Sequence, residues 1–233
     1  DAVVLHWRKG AGIQARPASY RWGNRTVNAG WVTTFQELTV VSENRATPIP
    51  KDVPFEIAAL MGCAVTTAFG LLNNDAQLKI GQSLAVIGCG GVGLSVLQGA
   101  ALIAAHPIIA VDIHDAKLAM ARQFGATHTI HSGREDLRAA LRAIVGNAGA
   151  DVVVENTGQV RLIEAAYELT AAKGRTILVG VPRHDEKITI HSLPLHFDKV
   201  LTGCEGGHTD PRADIPRYLR LYQSGKLPLE KLI

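Results

Sequence analysis

The chain has 233 residues, with 24 Lys and Arg against 21 Asp and Glu, and 47% of it is hydrophobic. That apolar content excludes a disordered chain, and three cysteines exclude a disulfide framework. The net charge of +3 is scattered singly and offers no basic face for nucleic acid, and no apolar run reaches the ~20 residues of a membrane helix.

The first ten residues, DAVVLHWRKG, carry neither the charged lead nor the cleavage site of a signal peptide. With unpaired cysteines, this predicts a reducing, cytoplasmic setting. Because Asp1 is not a Met, the reading expects a processed or partial polypeptide.

AVVLHW and WVTTFQELTVVS read as short strands of a β-rich unit. The Gly- and Arg-rich stretch between them, residues 8–30, reads as a long loop. ATPIPKDVPFE is a connector, followed by a small-residue helix from Phe55 to Leu72. From Ser83 the pattern becomes regular. SLAVIG is a continuous apolar run, as expected of a strand buried on both faces. A small-residue helix over about 92–105 follows, then strand PIIAVD, helix DAKLAMARQFGA, strand ATHTIH and amphipathic helix REDLRAALRAIVGN. Next come strand DVVVEN, helix VRLIEAAYELTAAKG ending at Gly174 as a C-cap, and strand GRTILVGVP. KITIHSLPLHF and KVLTGCEGG read as edge strands, and PRADIPRYLRLYQSGK as a closing helix. Strands alternating with helices predict a doubly wound parallel α/β domain over about 65–205.

The sharpest motif is Gly88-Cys89-Gly90-Gly91-Val92-Gly93, a G-x-G-x-x-G between a buried strand and a helix. Gly88 allows the tight turn, Gly90 lets the backbone approach a pyrophosphate, and Gly93 lets helix and strand pack closely. The helix N-terminus then receives the anion. Nineteen residues after Gly93 stands Asp112, where a carboxylate accepts ribose hydroxyls. Ile113 and His114 follow it rather than an arginine, which favours NAD over NADP, and Lys117 reaches the ribose from the next helical turn. The alternatives are a glycine-rich turn in a fold that binds no nucleotide, with Asp112 as an N-cap, and a methyltransferase-type loop.

The segments AGWVTTFQELTVVSEN, AALMGCAVTTAFG, IGCGGVGLSV, VDIHDAKLAMARQFGATH, DVVVENTG and TILVGVP resemble, in order, the zinc-dependent medium-chain alcohol dehydrogenases. The resemblance implies a Rossmann domain over 65–205. It also implies a partial β-rich, GroES-like catalytic domain over 1–64, to which 206–233 return. Cys63 matches a cysteine ligand of the catalytic zinc, and Thr67 a residue beside the nicotinamide. Gly88, Gly90, Gly91, Val92 and Gly93 match the pyrophosphate loop. Asp112, Ile113 and Lys117 match the adenosine ribose side, with Thr157 and Gly158 near it. Val179, Gly180 and Val181 match backbone along the nicotinamide, and Trp7 an aromatic wall of the substrate pocket. The implied activity is reversible oxidation of an alcohol to an aldehyde or ketone, in a homodimer joined through KITIHSL.

Two departures qualify this. A catalytic zinc takes three protein ligands and Cys63 is one, so the others are expected upstream of Asp1. The region after Trp7 lacks the four cysteines of a structural zinc lobe, so no structural zinc is expected. His6 and His208 are the remaining candidate ligands, and Cys89 reads as a small filler. A non-catalytic dinucleotide-binding module derived from such an enzyme is the competing reading.

Overall fold

In a computed structural model of the chain, residues 1–28 and 30–233 are described; Ala29, in the loop expected over 8–30, lies outside them. The chain divides into two compact units, one of residues 1–66 with 209–233, the other of residues 67–208.

In the first unit, β1 (Val3–Leu5) pairs antiparallel with β4 (Ala46–Pro48), placing Val4 opposite Thr47. Between them the sequence reading needs correction. Residues 8–30 are not all loop, because β2 (Ser19–Trp22) and β3 (Arg25–Asn28) form an antiparallel hairpin across Gly23-Asn24. A two-residue Gly-Asn connection is a hairpin signal in its own right. The segment 31–42, by contrast, forms no strand. Phe35 and Leu38 in it are almost wholly exposed.

The helix expected over 55–72 is two helices, α1 (Phe55–Leu60) and α2 (Ala64–Gly70). The break falls where Gly62 passes so close to β1 that a Cβ would lie 2.6 Å from the Leu5 carbonyl oxygen. A π-type turn over Leu71–Asp75 then closes α2, with Ala76 N donating to Leu71 O at 2.7 Å.

The second unit is built on β5 (Leu84–Ile87), α3 (Gly91–Leu102), β6 (Ile108–Asp112), α4 (Asp115–Gln123), β7 (His128–His131) and α5 (Leu137–Val145). It continues through β8 (Ala150–Glu155), α6 (Val160–Leu169), β9 (Thr170–Leu178) and β10 (Val200–Gly203). The strands lie in the order β10-β9-β8-β5-β6-β7, and every pairing is parallel. This is the doubly wound Rossmann arrangement. The chain starts in the middle with β5, winds one way to β7, then crosses back to β8. All four residues of β5 and all five of β6 are buried, which is why each reads as an unbroken apolar run. One face is closed by Leu137 and Leu141 of α5 and Ala165, Ala166 and Leu169 of α6 against Ile87, Ile109 and Val153. Each fully buried Leu, Ile or Val contributes about 1.5–3 kcal/mol.

Two further expectations are corrected here. Helix α6 ends at Leu169, not Gly174. Gly174 belongs to β9 and runs flush against β8, where a Cβ would meet Asp151 O at 2.6 Å. Segment 187–192 forms no strand; it is tied to α6 instead, through Thr189 N to Glu164 Oε1 (2.7 Å) and Tyr167 Oη to His191 O (2.9 Å). Finally α7 (Pro211–Gln223) returns to the first unit, opened by the Asp210 side chain accepting from Arg212 N at 3.1 Å.

Candidate functional site

The strand order reverses between β5 and β8, and the crevice outside the carboxyl ends of the strands at such a point is where this fold takes ligands. A cavity of about 620 Å³ opens there, within the size range of small-molecule sites.

The glycine loop forms its floor, with Gly88, Gly90, Gly91, Val92 and Gly93 all lining it. The glycines serve different ends. A Cβ on Gly93 would lie 2.1 Å from Gly88 O, so only glycine lets α3 run this close to the turn. A Cβ on Gly90 would meet nothing within 4 Å. No side chain caps α3 at Gly90, so its first-turn N–H groups and the positive end of its dipole are left for an anion.

Asp112 closes β6 at the cavity's edge, only 7% exposed. Its Oδ2 accepts from Cys89 N at 2.8 Å, and its Oδ1 from Ile113 N at 2.8 Å and His114 N at 3.1 Å. The carboxylate thus fixes the glycine loop from below. Oδ1 has both lone pairs engaged, while Oδ2 takes one backbone donor and keeps a lone pair free of backbone. Lys117 Nζ stands 4.0 Å from Oδ2, and Ile113 and Lys117 line the same rim. Cys89 is buried at its centre, its thiol pushed up to about 12 by burial and then by the Asp112 carboxylate. It is an inert filler, not a nucleophile.

The opposite rim is made by the tips of β8 and β9, where Thr157, Val179, Gly180 and Val181 line the cavity and Gly158 lines an adjoining recess. Two residues unremarked in the sequence build this rim. Glu155 is fully buried and accepts from Thr157 N (2.7 Å), Gly158 N (3.0 Å) and the Thr157 hydroxyl. Its backbone oxygen takes Val179 N (2.8 Å) and Gly180 N (3.0 Å). One residue therefore holds both turns. Asn156, beside it, faces the cavity. The available signal was a charged and an amide residue closing an otherwise apolar strand.

Other sequence candidates lie elsewhere. Cys63 is exposed in the break between α1 and α2, where its carbonyl accepts from Thr66 Oγ1 at 3.0 Å. Thr67 is buried on α2, and Trp7 is part-exposed just beyond β1. His6 is buried with both ring nitrogens engaged, Nδ1 with Arg8 O (2.7 Å) and Nε2 with Thr47 Oγ1 (3.0 Å), and burial lowers its pKa. His208 Nδ1 is paired with Asp75 Oδ1. Among the described residues no group of three or more His, Cys, Asp or Glu is arranged to hold a metal.

Comparison with known proteins fits this geometry. A family model described as zinc-binding dehydrogenase matches residues 91–224, more than half of the chain. The chain belongs to the zinc-binding dehydrogenase family. It is 34% identical to alcohol dehydrogenase 2 of Zea mays over 203 residues, covering 86% of this chain and 54% of that protein. It is 33% identical to S-(hydroxymethyl)glutathione dehydrogenase of Paracoccus denitrificans, covering 86% of this chain and 56% of that one. Benzyl alcohol dehydrogenase of Acinetobacter calcoaceticus superposes with a TM-score of 0.78 at 33% identity, over 82% of this chain and 53% of that one. The chain spans about half the length of the curated relatives it matches.

This zinc-binding dehydrogenase chain fits a dinucleotide and a zinc ion unequally. The bare Gly90, the uncapped α3 and Asp112 suit a dinucleotide. A catalytic zinc takes three protein ligands, and among the described residues no group of three or more His, Cys, Asp or Glu is gathered to supply them.

Proposed function

We propose that this chain binds NAD in the cavity and forms the cofactor-binding part of a zinc-dependent dehydrogenase that interconverts an alcohol with an aldehyde or ketone. The observation that carries the reading is the bare, uncapped glycine loop fastened to Asp112 at the switch point of the sheet. The α3 N-terminus receives the pyrophosphate, and Asp112 Oδ2 accepts an adenosine ribose hydroxyl. The Val179–Val181 backbone lines the nicotinamide half. NAD is favoured because a 2′-phosphate would approach the Asp112 carboxylate. The bound dinucleotide supplies the hydride acceptor; the protein orients it and excludes water. In this reading Cys63 is one zinc ligand with its partners outside residues 1–233, Thr67 lies beside the nicotinamide, Trp7 walls the substrate pocket, and two copies form the working unit.

Calorimetric titration tests the cofactor assignment. The 233-residue chain binds NAD more tightly than NADP, and Asp112→Asn narrows that preference by weakening NAD and relieving the repulsion of the 2′-phosphate. A chain that binds neither dinucleotide overturns the reading. For the activity, the natural polypeptide reduces NAD when an alcohol is added and stops when zinc is chelated. NAD binding without any alcohol-dependent reduction leaves the non-catalytic module instead.

A further inference from the structure

A second cavity of the same unit, about 440 Å³, lies between α6 and the segment that follows β9. It shares no lining residue with the dinucleotide cavity. Its apolar lining is Tyr167, Ile190 and Pro194. Lys199, only 8% exposed, lines it too. An ammonium carries three N–H groups. One donates to Thr170 O at 2.7 Å, at the end of α6, and Nζ stands 4.4 Å from the centre of the Tyr167 ring. Among the described residues no carboxylate pairs with it. Burial lowers its pKa, and the Glu168 charge only partly opposes this. The carboxylates of the wall are engaged elsewhere. Glu168 takes Arg138 Nε at 2.7 Å and Arg142 Nη2 at 2.6 Å, and Glu164 Oε1 takes Thr189 N at 2.7 Å. Three cations thus stand against two carboxylates, and Lys199 is the cation without a partner. A buried ammonium is costly unless an anion answers it.

We infer that this cavity is a binding site for a small monocarboxylate, whose oxygen accepts a hydrogen bond from the Lys199 ammonium while its apolar body lies against Tyr167, Ile190 and Pro194. The single uncommitted cation selects a single negative charge. A phosphate dianion would bring a second charge toward Glu164 with no cation to meet it. A lysine acts as a point charge and seats one oxygen, where an arginine would present a fork for two. The cavity is within the size range of small-molecule sites, and apolar walls with a few placed polar groups are their usual make-up. The bond to Thr170 O uses one donor to close the end of α6 and is kept when the ligand binds. The site does not depend on the dinucleotide reading.

Calorimetric titration of the 233-residue chain with benzoate tests this, with benzamide as the uncharged analogue and ADP as an occupant of the glycine loop. Benzoate binds the parent chain, and benzamide binds about tenfold more weakly or not at all. Saturating ADP leaves the benzoate affinity within about twofold, since the two cavities share no lining residue. Lys199→Met, similar in length but uncharged, weakens benzoate by about tenfold or more, the loss of one charge-assisted hydrogen bond. Should that variant fail to fold, Ile190→Trp decides. It fills the cavity from a part-exposed position, leaves Lys199 in place and abolishes benzoate binding. Benzoate affinity unchanged in Lys199→Met, or in Ile190→Trp where that variant decides, overturns the inference. So does benzamide binding as tightly as benzoate. Displacement of benzoate by ADP puts the carboxylate at the glycine loop and overturns it too. A parent chain that takes up no benzoate leaves Lys199 as the closing cation of α6 alone.

Discussion

The two rims of the cavity rest on buried carboxylates, and the two carboxylates are used differently. Asp112, at the end of β6, spends three contacts on backbone N–H groups and still shows one oxygen to the cavity beside Lys117. Glu155, at the end of β8, is entirely enclosed and spends its carboxylate on Thr157 and Gly158. The second is support alone; the first is support and, under the proposed function, contact as well. A buried charge is tolerated in each place because backbone donors aimed at it replace the lost water. An acidic strand end therefore marks a site only when an oxygen is left over.

The sharpest way to break the comparison is to disturb the floor that both rims share. Gly93→Ala drives a Cβ to 2.1 Å from Gly88 O, a backbone atom with no room to yield. Strain of this kind costs about 3 kcal/mol. Urea denaturation reads it as a lowered midpoint. A variant as stable as its parent would mean that the loop and α3 separate freely.

Glu155→Gln comes next. The amide turns an NH2 toward the N–H groups of Thr157 and Gly158, leaving at least one buried donor unmet. The cost is about 2–3 kcal/mol in the same assay, since hydrogen bonds to a charged acceptor are the stronger kind. A neutral outcome would place Glu155 with Asp112, as a residue whose oxygen is not fully committed.

The sequence announced the first rim by its own pattern and reached the lining of the second only through the family resemblance, leaving its supports Glu155 and Asn156 unremarked, for physical reasons. Gly88 to Gly93 and Asp112 act at fixed local spacing, so a pattern of types along the chain carries them. Strands β5, β6 and β8 were legible because burial on both faces writes an unbroken apolar run. Glu155 works through β9, whose Val179 and Gly180 are brought to it only by sheet pairing. Asn156 depends on β5 in the same way. The segments read wrongly fail for a related cause. WVTTFQELTVVS has strand-like composition but no partner strand among the described residues. TAAKG has helical composition but is drawn into β9, because the shaved backbone of Gly174 fits against Asp151 O.

A third carboxylate sharpens the contrast from outside the cavity. Glu168, on α6, takes Arg138 Nε at 2.7 Å and Arg142 Nη2 at 2.6 Å, with all three side chains at least 40% exposed. The Arg138 hydrogen bond, then that from Arg142, holds its carboxyl below the ordinary range. A depressed folded pKa means that the pair's stability is present above the unfolded carboxylate value of about 4.3 and is lost as pH falls through the folded value. Solvent screens exposed pairs, so Glu168→Gln costs only about 0.2–1 kcal/mol near neutral pH. The difference from the parent shrinks as pH falls through the depressed folded value, because the parent carboxylate is then protonated too. Denaturation midpoints of parent and variant at neutral pH and below that value measure it. If Glu168→Gln costs as much as Glu155→Gln at neutral pH, enclosure is not what separates the supporting carboxylate from the others. Charge partners, the arginines beside Glu168 and Lys117 beside Asp112, would then weigh as much as the backbone donors around Glu155.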